Sequence, residues 1–155
     1  MAGKRKQVAA QHTTPAKGAK PFVRSAVVLP GEDTSDKRLS WRFCHVDRDG
    51  PWGFDKVDAV TMHDVLDKLA HFETMTVNEI FNHGEEPGKH YDVANLPNPT
   101  SRDRLAELHL TDMTKISRLR LGGTLRLYGF LQENCFHIIW WDPDHEIWPS
   151  HKRNT

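Results

Sequence analysis

Three strand-like runs, Ile116–Leu121, Leu125–Leu131 and Cys135–Trp141, close this 155-residue chain, and only short turns separate them. Gly122-Gly123 marks the first turn and Glu133-Asn134 the second. Connections this short join antiparallel neighbours, so the runs predict a three-stranded antiparallel meander. A one-residue slip would turn every side chain of a strand to the other face, so the turns decide which residues share a surface. A three-residue loop, Gly122-Gly123-Thr124, pairs Leu121 with Leu125, Arg120 with Arg126, Leu119 with Leu127 and Arg118 with Tyr128. A two-residue loop would set arginine beside leucine on both faces, so the longer form is preferred. A two-residue Glu133-Asn134 turn pairs Leu131 with Phe136, Phe130 with His137 and Leu127 with Trp140.

This register predicts one face of Leu119, Leu121, Leu125, Leu127, Leu131, Phe136, Ile138 and Trp140, seated on helices. The opposite face is Arg118, Arg120, Arg126, Tyr128, Phe130, His137, Ile139 and Trp141. Like charges at Arg120 and Arg126 oppose pairing, and an anion lying across them would relieve the repulsion. A face both basic and aromatic suits single-stranded nucleic acid: guanidinium groups take phosphates, and each stacked base contributes roughly 1–3 kcal/mol. The same residues also fit a second core, with Phe130, Ile139 and Trp141 under the N-terminal segment and the arginines at its rim.

Upstream, Ser40–Val46 reads as a strand and Asp47-Arg48-Asp49-Gly50-Pro51 as a turn. Trp52 and Phe54 put large apolar groups in the next loop, which predicts that it packs onto the core. Thr61-Met62-His63-Asp64 has the form of a helix start, and Met62, Val65, Leu66, Leu69 and Phe72 follow at helical spacing. Thr76-Val77-Asn78-Glu79 is a capping box for a second helix through Ile80 and Phe81, stopping at Gly84. Residues 84–99 read as a loop, and Thr100 or Ser101 caps a third helix carrying Leu105 and Leu108. The expected fold is α+β: an N-terminal strand, two to three helices on one face of the sheet, and the C-terminal meander.

The domain is expected over 39–155, with 26–38 as a linker or edge segment and 1–25 as a disordered basic tail. Six of the 21 basic residues and none of the 21 acidic ones lie in 1–25, so the tail is +6 and the remainder, 15 against 21, is −6. Such a tail scans anionic polymers or serves as a solubilising leader. No run approaches the ~20 apolar residues of a membrane span, and no apolar signal-peptide core is present. A cytoplasmic protein without membrane contact is expected. Two cysteines, Cys44 and Cys135, are too few for a disulfide scaffold. Both fall in strand runs, where inert buried thiols are the norm. The ten histidines are scattered without ligand spacing.

The stretch Thr124-Leu125-Arg126-Leu127-Tyr128-Gly129-Phe130, followed by Cys135 to Trp141, resembles the RelE/ParE/HigB-type bacterial toxins. Their common form is a strand, two or more helices and an antiparallel hairpin array. The likeness covers residues 39–155 by element order and 116–141 by pattern, and the ending Ser150-His151-Lys152-Arg153-Asn154-Thr155 is similar to the basic ending of HigB-like chains. The resemblance implies a RelE-like fold, metal-independent cleavage of messenger RNA in the ribosome, and an antitoxin protein as partner.

Metal-independent cleavage needs a base near the 2′-hydroxyl and a cation beside the phosphorane. Arg126, with Arg120 beside it, is the candidate for charge stabilisation, because a guanidinium stays ionised. His145 is the candidate acid or base, with His137 second, and Tyr128 orients or protonates. Arg118, Phe130, His137, Trp141, Lys152 and Arg153 are the candidate RNA contacts. A second reading is a non-enzymatic module whose aromatic sheet face binds a protein. A third is a metal-dependent hydrolase using Asp142, Asp144, His145 and Glu146, residues that turn hydrogen bonding around Pro143 also explains. No cofactor motif is present (no H-E-x-x-H, P-loop, G-x-G-x-x-G or G-x-S-x-G), so neither cofactor nor metal is assigned.

Overall fold

In the computed structural model, which describes residues 33–150, the chain runs β1 (Ser40–Arg42), α1 (Ala59–Phe72), α2 (Val77–Phe81), β2 (Gly88–Asp92), α3 (Pro99–Glu107), β3 (Lys115–Gly122), β4 (Leu125–Gln132) and β5 (Cys135–Asp142). This is a mixed α+β fold around a five-stranded sheet of order β1-β5-β4-β3-β2. The tail 1–25, most of segment 26–38, and Lys152 and Arg153 lie outside the described residues. No helix among those described is long and apolar enough to cross a membrane.

The β3–β4 hairpin has the expected register at Arg118↔Tyr128, Leu119↔Leu127 and Arg120↔Arg126. Gly122 rather than Leu121 faces Leu125, and both Gly122 (φ 149°) and Gly123 (φ 49°) take the positive φ that a tight turn requires. The second hairpin begins as expected, with Leu131↔Phe136 and Phe130↔His137, and then shifts between Tyr128 and Gly129. Tyr128 meets Trp140, and Leu127 meets Trp141 instead of Trp140. The reason is at Gly129. A Cβ there would overlap the His137 carbonyl oxygen and come within 2.6 Å of the Phe136 ring. Glycine lets the strands close on a bulge that leaves Ile139 unpaired, and the Ile139 carbonyl instead accepts from the Asp47 N–H at 2.9 Å.

Trp141 therefore lies on the helix side and Trp140 on the other, the reverse of the expected sorting. Val65, Leu69 and Phe72 of α1 and Val77, Ile80 and Phe81 of α2 pack with Leu119, Leu127, Phe136, Ile138 and Trp141 in one core. A second core on the opposite face joins Ile116, Tyr128, Phe130, Ile139 and Trp140 to Trp52, Tyr91, Leu96, Leu105, Leu110 and Ile147. Leu105 belongs to α3, so helices lie on both faces rather than one. The second core expected as an alternative exists, but without Trp141, and its cover is α3 and loops. Trp52 packs as its loop position predicted.

Local signals explain the element ends. Asp58, not Thr61, caps α1, accepting from the Thr61 N–H at 2.9 Å. Leu66, read as part of the buried stripe, is half exposed. The Thr76–Glu79 capping box forms in full, with bonds of 3.2 and 2.7 Å. Asn98 caps α3 ahead of Pro99, in place of Thr100 or Ser101. The first strand ends at Arg42 rather than Val46 and runs parallel to β5. The expected loop 84–99 contains β2, an edge strand in which only Gly88 and Tyr91 are buried.

The turn after β1 is held by a buried acid. Asp47, with its side chain fully enclosed, takes two hydrogen bonds from Arg104 at 2.8 and 2.7 Å, one from the Trp140 indole at 3.0 Å and one from the Gly50 N–H at 3.1 Å. Burial raises its pKa, but these donors outweigh burial and hold the carboxyl below its ordinary value. The network ties the loop to α3 and to the middle of β5.

Candidate functional site

Alternation along β3 and β4 sets Arg118, Arg120, Arg126 and Tyr128 on one face at the first-hairpin end of the sheet. Residues before β2 close one side: the Arg118 Nη2 donates to the Glu85 carbonyl at 2.7 Å and to Glu86 Oε1 at 3.1 Å. Arg120 lies 4.0 Å from the same Glu86 oxygen. Arg126 donates to the Gly123 and Leu125 carbonyls at 2.8 and 3.0 Å, and among the described residues no carboxylate lies within bonding distance of it. Arg118 and Arg126 are buried, whereas 47% of the Arg120 side chain is exposed. The Nε atoms of Arg118 and Arg126 and the Tyr128 hydroxyl are enclosed without a hydrogen-bond partner among the described residues. Unpaired buried polar groups are rare and call for a reason.

The turn after β5 brings His145 to this cluster. Asp142 is fully buried, and its two oxygens accept from the Glu146 and Ile147 N–H groups at 3.0 and 2.9 Å. That cap folds the turn and holds His145 in a left-handed backbone conformation (φ 57°), half-buried. Strain of this kind in a non-glycine residue is concentrated at functional sites.

The charges act on one another. Burial lowers the Arg126 pKa, and the neighbouring Arg118 cation adds to this, with Glu86 opposing. Burial also lowers that of His145, followed by the Arg126 charge, with Asp142 opposing, which favours the neutral imidazole. Burial and then Asp142 push the Tyr128 phenol far up, which keeps its proton on the oxygen. Asp142 itself is raised by burial against its two backbone donors. Three guanidinium groups and an imidazole thus surround Glu86 and a buried carboxyl. The three guanidinium charges outnumber those of Glu86 and Asp142 in either form of Asp142, and Glu146 adds a negative charge beside Asp142.

All four residues read as catalytic, Arg126, His145, Tyr128 and Arg120, come together here, with Arg118 beside them. The others do not. Phe130 is buried in the second core, and Trp141 is buried on the opposite face. His137 pairs with Phe130, four residues along β4 from Arg126 and so ~13 Å away. The open aromatic face expected for stacking or protein docking is therefore covered, because α3 and the loops fill it with apolar side chains. The acidic group near Pro143 does not converge either: Asp142 is spent on backbone, and Glu146 accepts from the Trp52 indole at 3.2 Å. Glu86 and the capping role of Asp142 were missed; the only sequence signal was the Glu85-Glu86 pair before Pro87. A groove of about 620 Å³ between α1 and the first hairpin, lined by Asp64, Asp67, Lys68, His71, Leu121 and Leu125, lies on the helix side, away from the arginines.

Comparison with protein-family models, curated proteins and solved structures finds no match to this chain. The functional reading rests on the cluster itself.

Proposed function

We propose that the arginine cluster binds an RNA phosphate and cleaves the RNA without a metal, in the manner of a RelE/HigB-like toxin. The observation that carries this reading is the charge imbalance around Glu86 beside a neutral, part-exposed imidazole. Arg120, the exposed member of the cluster, meets the phosphate, and the buried Arg126 stabilises the charge that develops on the phosphorane. His145 takes the proton of the 2′-hydroxyl as its oxygen attacks phosphorus. The P–O5′ bond breaks, the 5′-oxygen takes a proton from water, and a 2′,3′-cyclic phosphate is left. Tyr128, protonated and fully buried, is a positioning residue under the guanidinium groups. The element order supports a RelE-like arrangement, in which an antitoxin protein would cover Arg120. Base stacking on Phe130 and Trp141 forms no part of this reading, since both are buried.

Binding and cleavage of end-labelled single-stranded RNA test it. Affinity should fall steeply with salt, and cleavage should persist in EDTA. Arg120→Ala should weaken RNA binding, Arg126→Ala should lower kcat about 10²–10³-fold, and His145→Gln should lower it about 10²–10⁴-fold. Because the His145 pKa is lowered, the rising limb of the rate against pH should lie below the ordinary imidazole value of about 6.5. Wild-type protein that fails to bind RNA at low salt, or binding indifferent to Arg120→Ala, would overturn the reading.

A further inference from the structure

At the other end of the same sheet face, the chain leaves β1 at Arg42, which pairs with His137, and returns to β5 where the Asp47 N–H meets the Ile139 carbonyl. Between these two anchors a tight turn, closed by the Val46 N–H on the Phe43 carbonyl at 3.2 Å, holds Cys44 and His45 against His137. One donor atom from each of Cys44, His45 and His137 lies within 4.8 Å of the others. The two imidazole rings are 5.7 Å apart between centroids and tilted by 38°. Cys44 is a free, exposed thiol, and the His137 Nδ1 is enclosed with no hydrogen-bond partner among the described residues. The turn and β5 thus bring a cysteine and two histidines together, with one ring nitrogen left unpaired among the described residues.

We propose that Cys44, His45 and His137 form a binding site for a borderline-soft divalent metal ion of the zinc type. One thiolate and two imidazoles are the ligand chemistry such an ion selects. In a tetrahedral site with Zn–S near 2.3 Å and Zn–N near 2.0–2.1 Å, ligand atoms sit roughly 3.3–3.6 Å apart. Closing from 4.8 Å brings the most distant pair together by roughly 1.2–1.5 Å, a shift shared between two side chains. Three protein ligands leave the fourth position of the ion open to water or an exogenous ligand. The site is separate from the arginine cluster and does not depend on the RNA reading.

Cobalt(II) titration of the full-length protein under a phosphine reductant tests the proposal. A thiolate-to-cobalt charge-transfer band should grow to one equivalent and vanish when zinc is added. Cys44→Ser should abolish the band. His137→Gln should weaken cobalt binding more than ~100-fold, since even the loss of an outer-shell partner costs about 10–100-fold. Circular dichroism of both variants separates lost ligation from lost fold, and His45→Gln, at a half-buried turn position outside the sheet, gives a second ligand variant should His137→Gln unfold. A wild-type titration without the band, or a band that survives Cys44→Ser, would overturn the site.

Discussion

Asp47→Ala should destabilise the protein by about 3–5 kcal/mol, the range for breaking a buried ion pair by removing one partner. The substitution removes the carboxylate that accepts from Arg104, Trp140 and Gly50 at once. It leaves the Trp140 indole N–H buried beside a cavity and strips Arg104 of its enclosed partner, with the exposed Asp49 and Glu107 remaining. In a chain of this size the midpoint of thermal unfolding should drop by about 10 °C or more. A loss below ~1 kcal/mol would show that the network contributes little. The pH dependence has a defined sign. A carboxyl whose folded pKa is depressed stabilises the fold above its unfolded pKa, near 3.9, and that contribution is lost as pH falls through the folded value. Stability measured from pH 7 downward should therefore fall most steeply below about pH 4. Asp47→Asn should flatten that limb.

Gly129→Ala should be the second most damaging single change, at about 3 kcal/mol, with Gly129→Val worse. The added carbon meets the His137 carbonyl, which is backbone in the neighbouring strand and cannot swing aside. Relief requires undoing the bulge, and that would drive Trp140 and Trp141 towards each other's core. Leu66→Ala, on the exposed side of α1, serves as the control and should stay within about 0.5 kcal/mol. Denaturant unfolding of the three variants is the measurement. A Gly129→Ala protein as stable as wild type would mean that the bulge does not depend on glycine.

The same glycine marks the limit of what the chain discloses on reading. The first hairpin was legible because two glycines and strict alternation leave one register that sorts arginine from leucine, and the arginine cluster follows from that register alone. The second was legible only as far as Gly129, where alternation assumes an unbroken ladder. The closing of the second face was not legible. Its cover comes from Trp52, Leu96, Leu110 and Ile147, single apolar residues in otherwise polar loops, with no period to announce them. His145 was recognisable by residue type, but its approach to Arg126 depends on Asp142 turning inward, which resembles ordinary turn chemistry. The Cys44, His45 and His137 group was hidden for a different reason: only the parallel pairing of β1 with β5 brings it together.

That pairing imposes a delay on synthesis. Ser40 bonds to Asn134, 94 residues later, and Asp47 to Trp140, 93 residues later. At ~5–20 residues per second, the segment ahead of α1 waits on the order of 5–20 s after leaving the ribosome before its neighbours exist. Over that interval Leu39 and Trp41 have no β5 to join, so nascent-chain holding factors would meet this segment before any other strand among the described residues.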